Sequence, residues 1–158
     1  MRFFEKISFE QFKKDISDSR ELYDSITLPK RSTSKSAGYD IKSMENIIIK
    51  PREHVKIKTG LKVCMNDDEV LYIFSRSSLG LKYGVTMANS VGVIDSLYHK
   101  EIGIIVDNIG TEEYTINAGD RIAQFILIQT PYIVFNEDKI EDNERGGFGS
   151  TGIWQLTP

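Results

Sequence analysis

The chain has 158 residues, which is enough for one domain with a substantial core but short for two. Apolar residues make up 40%, and the net charge of −3 comes from both signs scattered along the chain, which argues against a basic nucleic-acid binder and against a disordered acidic protein. The single cysteine, Cys64, excludes an intramolecular disulfide framework and a cysteine-based zinc site. The sequence shows no secretory leader and no apolar run of the ~18 residues that cross a bilayer, so we expect a cytoplasmic protein without membrane contact.

Residues 1–28 are expected to form an N-terminal extension that contains one short helix. Ser8 with Gln11 three residues later fits a capping box, in which the two side chains satisfy backbone amides of the first turn. The apolar stripe of a helix follows at spacings of three and four, at Phe9, Phe12 and Ile16. We expect this helix to pack on the domain or on a neighbouring subunit.

Residues 29–135 are expected to form an all-β domain. Apolar and polar residues alternate with a period of two over 55–63, and compact runs of β-branched and aromatic residues follow from Val70 onward. Pro, Asn, Asp and Gly separate these segments. Short strands are predicted at 55–57, 61–63, 70–74, 103–106, 114–116 and 122–128. Because no long helical pattern follows Pro29, this succession of short strands is typical of a β-sandwich or barrel.

Residues 136–158 are expected to form a flexible, glycine-rich C-terminal arm. Four of the seven residues from Gly146 to Gly152 are glycine, so ordering this segment costs considerable chain entropy. An aromatic residue and two hydroxyls among the glycines indicate a segment that closes over a ligand, and Arg145 supplies a permanent charge for a terminal phosphate. The segment lacks the Gly-Lys-Ser/Thr ending of a P-loop, which excludes that interpretation.

Three other polar segments are candidates for chemistry, each with a structural alternative. Arg76-Ser77-Ser78-Leu79-Gly80 follows a predicted strand and either cradles a phosphate or simply forms a turn. Asn89 offers a donor and an acceptor to a base edge, and Asp95 ends an apolar run as either a general base or a turn-capping residue. In Gly119-Asp120-Arg121 the two charges form either a site or an ion pair, and a buried Gln124 would need a partner.

Five segments occur in a fixed order: Ala37-Gly38-Tyr39-Asp40; Arg76-Ser77-Ser78-Leu79-Gly80; Gly92-Val93-Ile94-Asp95 with Tyr98; Gly119-Asp120-Arg121 with Gln124; and the arm from Arg145 to Gly152. Together they resemble the five motifs of the trimeric dUTP pyrophosphatase family, over about Leu28 to Gly152. The resemblance implies a jelly-roll-like β-barrel that assembles as a homotrimer. It also implies active sites shared between subunits, with the arm reaching across to a neighbour's site.

The activity that the resemblance implies is hydrolysis of dUTP to dUMP and pyrophosphate with Mg²⁺, which limits uracil incorporation into DNA and supplies dUMP for dTTP synthesis. Asp95 matches the catalytic carboxylate that activates a water for attack on the α-phosphorus. Asp40 matches the carboxylate that holds the metal through water. The other matched positions are implied to form the substrate site. Ser77, Ser78 and Gln124 match phosphate contacts, and Arg76 matches the arginine that helps organise them. Uracil is matched by Asn89, Val93, Ile94 and Gly103, deoxyribose by Tyr98, and the arm contributes Arg145, Phe148, Gly149, Ser150 and Thr151.

This chain departs from the family pattern at three positions. Leu97 stands where an acidic residue is usual, Lys100 where glycine is usual, and Asp107 where the family has an apolar residue. The first two lie in the turn after Asp95, so we expect a changed turn there.

Two alternative functions remain at this stage. The dCTP deaminases resemble the chain in fold and in the Arg-Ser-Ser-Leu stretch, but they place a glutamate base where this chain has Ile105, which cannot move a proton. The other alternative is a nucleotide-responsive regulatory protein that binds a partner. The full set of candidate catalytic residues argues against a protein of that class without activity.

Overall fold

The structure, a computed structural model, describes residues 1–130. The C-terminal arm predicted for residues 136–158 therefore lies outside the described residues, together with its candidate residues Arg145, Phe148, Gly149, Ser150 and Thr151. In the described part of the chain the elements are, in order, β1 (Phe3–Lys6), α1 (Phe9–Asp15), α2 (Arg20–Ser25), β2 (Tyr39–Lys42), β3 (Ile47–Ile49), β4 (His54–Lys58), β5 (Leu61–Cys64), β6 (Glu69–Ser75), α3 (Ser77–Tyr83), β7 (Val85–Met87), β8 (Gly92–Asp95), β9 (Gly103–Asn108), β10 (Tyr114–Ile116) and β11 (Arg121–Gln129).

The strands form antiparallel sheets, and the predicted all-β, jelly-roll-like barrel is confirmed. The larger sheet has the order β2-β11-β6-β8, and a three-stranded sheet has the order β4-β9-β7. Two further pairs, β1-β5 and β10-β3, extend the barrel. Each of the six strands predicted from the sequence lies within an observed strand. In the residues that the structure describes, no helix has the length and apolar character needed to cross a membrane.

The core lies between the sheets and is built from the inward residues of each strand. Leu71 and Ile73 of β6 and Phe125 of β11 are at most 1% exposed. Burial of such a side chain contributes about 1.5–3 kcal/mol. Because successive strand residues point to opposite faces, these inward residues fix which side chains of β6 and β11 face outward.

The N-terminal extension is more structured than the sequence predicts. The expected helix is α1, and its N-cap residue Ser8 accepts a hydrogen bond through Oγ from the backbone amide of Gln11 at 3.1 Å. Strand β1 and helix α2 were missed, because each is only four to six residues long and carries no full period of alternation. Ile7, Phe12 and Ile26 are at most 6% exposed, so the extension packs on its own domain.

The segment from Arg76 to Gly80, interpreted as a phosphate cradle or a simple turn, is instead the start of helix α3. Arg76 is the N-cap residue, and the helix ends at Gly84, which has a φ of 65°. A Cβ at Gly84 would lie 2.8 Å from the Gly110 nitrogen, so glycine is required both by backbone conformation and by space. Leu79 is 8% exposed and anchors the helix to the core.

Candidate active site

The outer face of the larger sheet carries candidate residues on both of its edge strands, β2 and β8. Gln124 alternates along β11 with the fully buried Phe125, so its side chain faces outward. Antiparallel partners share a face, and Gln124 is paired with Asp40 on β2. At the other edge of the sheet, Asp95 on β8 is paired with Val70 on β6. The register therefore places the carboxylates of Asp40 and Asp95 on one face of the sheet.

At one end of this face lies a set of residues that we call the phosphate cluster, comprising Asp40, Arg76, Ser77, Ser78 and Gln124. The Arg76 Nε lies 3.2 Å from Asp40 Oδ1, and the two side chains are 24% and 17% exposed. Gln124 Nε2 donates to the backbone oxygen of Ser75 at 3.2 Å, directly before Arg76. The two serines occupy the first turn of α3, where helical amides lack intrahelical acceptors. The cluster thus offers a cation, an amide and hydroxyls to an anionic ligand.

Asp40 contacts three donor side chains, one through an ion pair and two through hydrogen bonds. Besides Arg76, Arg121 Nη1 lies 3.1 Å from Asp40 Oδ2, and Ser32 Oγ donates to the same oxygen at 2.9 Å. Arg121 therefore forms an ion pair with Asp40 and not with Asp120, its neighbour in the sequence. Asp120 Oδ2 instead accepts from the backbone amide of Asn117 at 2.8 Å and closes the turn before β11.

The donor set around Asp40 fits a magnesium ion that is carried mainly by a ligand's own phosphates. Within residues 1–130, no group of three or more His, Cys, Asp or Glu is placed to hold a metal. The Asp40 carboxylate has about four lone-pair directions; Oδ2 accepts two hydrogen bonds, and Oδ1, which lies in the ion pair with Arg76, has room for a metal-bound water. Mg²⁺ keeps several waters and commonly uses one or two carboxylates with substrate phosphates.

The other candidates lie around β8 and the loops that flank it, and we call them the Asp95 group: Asn89, Val93, Ile94, Asp95, Tyr98 and Gly103. A tight turn follows β8, because the Tyr98 amide donates to the backbone oxygen of Asp95 at 3.0 Å. Asn89 lies just beyond β7, next to the start of β9, since the amide of Ala88 donates to the oxygen of Ile105 at 3.0 Å. Asn89 and Asp95 are exposed. The group forms a surface of one amide, one carboxylate and backbone edges.

Tyr98 is held rigidly within this group. Its hydroxyl donates to the backbone oxygen of Glu101 at 2.7 Å. Burial, and secondarily the Glu101 carboxylate, raises the pKa of Tyr98 above its ordinary value of 10.0, so the phenol stays protonated at neutral pH. Glu101 Oε1 in turn accepts from the amides of Thr59 and Gly60, each at 2.9 Å. The ring is therefore a fixed apolar surface beside Asp95.

The three departures from the family pattern lie at the surface. Leu97 is 39% exposed and Lys100 is exposed, in and just after the turn that follows Asp95. Asp107 is paired with His54 on β4 and with Thr86 on β7. It alternates along β9 with the buried Val106, so this carboxylate faces away from the core, and a polar residue is accommodated there.

Within one chain the phosphate cluster and the Asp95 group lie far apart. Three strand-to-strand steps separate β2, which carries Asp40, from β8, which carries Asp95. Through Gln124, Asp40 is in register with Phe74 of β6, whereas Asp95 is in register with Val70, four residues away along the same strand. At about 4.8 Å between strands and 3.3 Å per residue, this separates Asp40 and Asp95 by roughly 20 Å. A general base acts within about 3 Å or through one water. One phosphate therefore cannot contact both groups of the same chain.

Comparison with known proteins was made by family, by sequence and by structure. The family model described as dUTPase matches residues 24–152. The deoxyuridine 5'-triphosphate nucleotidohydrolase of Finegoldia magna is 43% identical over 130 residues, which is 79% of this chain and 91% of the relative. The enzyme of the same name from Zymomonas mobilis is 39% identical over 131 residues, covering 81% and 90%. The crystal structure of dUTPase from Streptococcus mutans has a TM-score of 0.68 at 34% identity and covers 84% of this chain and 98% of its own.

Proposed function

The chain belongs to the dUTPase family and is a dUTP diphosphatase, and from that premise we propose that Asp95 directs a water molecule at the α-phosphorus of dUTP. Asp95 ends β8 with its side chain exposed, where a carboxylate can hold a water and accept its proton. The water oxygen forms a bond to the α-phosphorus, the bridging bond to the β-phosphate breaks, and dUMP and pyrophosphate leave. We further propose that this reaction, in the cytoplasm, limits uracil incorporation into DNA and supplies dUMP for dTTP synthesis.

The phosphate cluster is proposed to bind the triphosphate. Hydrolysis at phosphorus depends mainly on positioning and on stabilisation of charge, which Arg76, the two serines and Gln124 can supply. A bound Mg²⁺ supplies further neutralisation of the phosphate oxygens. Asp40 would hold one of its waters through a lone pair of Oδ1. The ion pair between Asp40 and Arg76 and the hydrogen bond from Gln124 to Ser75 support this assignment, because they fix the Arg76 and Gln124 side chains before substrate binds.

Selection of uracil and deoxyribose is proposed for the Asp95 group. The Asn89 amide and the backbone at Val93, Ile94 and Gly103 can pair with the uracil edge, whereas the reversed donors and acceptors of cytosine leave buried groups unpaired. A site of this kind rejects the wrong base by ~10⁴-fold without editing. The fixed ring of Tyr98 supports the deoxyribose and leaves no room for a 2′-hydroxyl.

The observation that carries the proposal is the distance between the two groups in one chain. Between them, the outer face of the sheet presents a row of large apolar side chains at Tyr72, Phe74, Val93, Ile126 and Ile128. Val93 is 58% and Ile128 39% exposed. A second copy of the chain on this face would bury that row and bring its own phosphate cluster towards Asp95. We therefore propose a homotrimer whose active sites are shared between subunits.

The arm, residues 136–158, is proposed to complete each site from a neighbouring chain, with Phe148 stacked on uracil and with phosphate contacts from Arg145, Gly149, Ser150 and Thr151. Truncation before Gly146 is expected to leave the fold and assembly intact, since residues 1–130 contain a continuous hydrophobic core of their own. Hydrogen bonds to charged groups contribute about 1.5–3 kcal/mol each, so losing two lowers kcat/KM by at least ~10²-fold. Pyrophosphate release and light scattering on the truncated chain test this. Full activity would show that the arm takes no part.

A second test within the phosphate cluster uses Gly38. A Cβ at Gly38 would lie 2.5 Å from Gln124 Oε1, so Gly38→Ala must displace that amide. We expect kcat/KM to fall about tenfold, the effect of one disturbed hydrogen bond to a charged group, with little change in the melting temperature. Gly80→Ala is the matched control, because the nearest atom to its Cβ is 4.0 Å away. Equal kinetics for the two variants would contradict the placement of Gln124 against substrate.

The proposed function as a whole is tested by pyrophosphate release from each deoxynucleoside triphosphate, with and without Mg²⁺. We expect rapid release from dUTP alone, and only when Mg²⁺ is present. Ammonia release from dCTP would instead support the deaminase alternative. No turnover of dUTP by assembled protein supplied with Mg²⁺ would contradict the mechanism.

A further inference from the structure

Arg121 reaches the outer face of the sheet only because of an irregularity in β11. Ala123 is paired with Ile41, but Arg121 is paired with Lys42, so two steps along β11 match one step along β2. In a regular strand Arg121 would share the inward face of Ala123 and Phe125, which are both fully buried. The bulge turns Arg121 to the face of Asp40 instead. Bulges of this kind often aim a side chain beside an active site.

Once on that face, Arg121 and Arg76 hold the two oxygens of one carboxylate. Arg76 Nε contacts Asp40 Oδ1 at 3.2 Å, and Arg121 Nη1 contacts Asp40 Oδ2 at 3.1 Å. Ser32 Oγ also donates to Oδ2, at 2.9 Å. With Oδ2 fixed by two donors, the carboxylate cannot rotate Oδ1 away from Arg76 without breaking both of those hydrogen bonds.

The contacts also define which part of Arg76 remains for substrate. Arg76 Nη1 is 3.5 Å from the backbone oxygen of Arg121, so Nε and Nη1 both face protein acceptors. A guanidinium carries five N–H donors in a rigid plane, and fixing two of its nitrogens sets the direction of the remaining donors. Loss of the Arg121 side chain would free Asp40 to turn, and Arg76 with it.

We propose that Arg121 is a positioning residue for dUTP hydrolysis, acting through Asp40 to hold Arg76 in the orientation that binds the phosphates. The inference rests on the proposed function of the phosphate cluster. Arg121 is 46% exposed, but its Nη1 is occupied by Asp40 and lies 3.5 Å from the Ser32 hydroxyl. Its effect on kcat is therefore expected to pass through Asp40, mainly to Arg76, which distinguishes Arg121 from a residue that itself contacts phosphate.

The test is a double-mutant cycle measured by pyrophosphate release from dUTP with Mg²⁺. Arg121→Gln is expected to lower kcat about tenfold with KM within about twofold, the effect of one lost charge-assisted hydrogen bond. Arg121→Lys keeps a cation against Asp40 and should restore kcat to within about threefold of the wild type. In an Arg76→Gln background, Arg121→Gln should lower kcat by less than about a further twofold, because the guanidinium that Arg121 positions is already absent.

The control is Arg52→Gln, which removes an exposed arginine from the β3–β4 turn and is expected to leave kcat unchanged. All assays are run below the temperature at which the least stable variant begins to unfold. Wild-type kcat in Arg121→Gln would overturn the inference, as would a full tenfold further loss in the Arg76→Gln background. An inactive wild-type chain would instead overturn the proposed function.

Discussion

Asp95→Asn is expected to lower kcat for dUTP hydrolysis by at least ~10²-fold, the scale of one lost acid–base group. Asparagine keeps the size of the side chain and can still hold a water, but it cannot accept the proton. Because the phosphate cluster and Tyr98 are unchanged, binding should persist. Pyrophosphate release gives kcat, and calorimetry with a non-hydrolysable α,β-imido analogue gives the dissociation constant.

The matched control for Asp95 is Asp107→Asn, which removes a carboxylate from β9 on the other sheet. Its kcat and analogue binding are expected to equal those of the wild type. An Asp95→Asn variant that turns over dUTP as fast as Asp107→Asn would remove Asp95 from the mechanism. Loss of analogue binding together with turnover would assign Asp95 to binding rather than to water activation.

Ile126→Glu is expected to dissociate the assembly and abolish activity together. Ile126 lies opposite Tyr72 on the outer face of the sheet, between the phosphate cluster and the Asp95 group. A carboxylate buried there against another subunit would lack a cation, and an unpaired buried charge is strongly destabilising, by about 3–5 kcal/mol. The fold itself should persist, because the side chain points away from the core. Light scattering and pyrophosphate release measure the two effects.

Ile48→Glu provides the comparison for Ile126. Ile48 is 56% exposed on β3, which lies in a separate pair of strands with β10. This variant carries the same change of charge and volume, and it is expected to remain assembled and active. If Ile126→Glu stayed assembled like Ile48→Glu, the outer face of the sheet would not be the subunit interface.

The fold class followed from the sequence because the strands are strongly patterned. Compact runs of β-branched and aromatic residues mark β6 and β11, and the turns before these strands are marked by Asn, Asp and Gly. Asp40, Arg76 and Gln124, which the family resemblance assigns to one site, are distant in the sequence but lie close together because β2, β11 and β6 are neighbours.

The features that the sequence did not predict depend on tertiary contacts. Helix α3 is only seven residues long and contains Gly80, which disfavours helix, so its burial through Leu79 decides the conformation. Arg121 was considered as a partner of Asp120, its neighbour in sequence. Its actual partner is set by a one-residue bulge, and no local pattern in the residues around Ile122 marks that irregularity.

Mixed assemblies test most directly whether one active site draws on several chains. Asp95→Asn lacks the water-activating carboxylate, and Arg76→Gln lacks the phosphate-binding cation, so each assembly alone should be nearly inactive. When the two variants are co-expressed in equal amounts, about a quarter of the shared sites combine an intact Asp95 from one chain with an intact Arg76 from another. The account predicts pyrophosphate release at about that fraction of the wild-type rate. A mixture no more active than the two separate variants would contradict it.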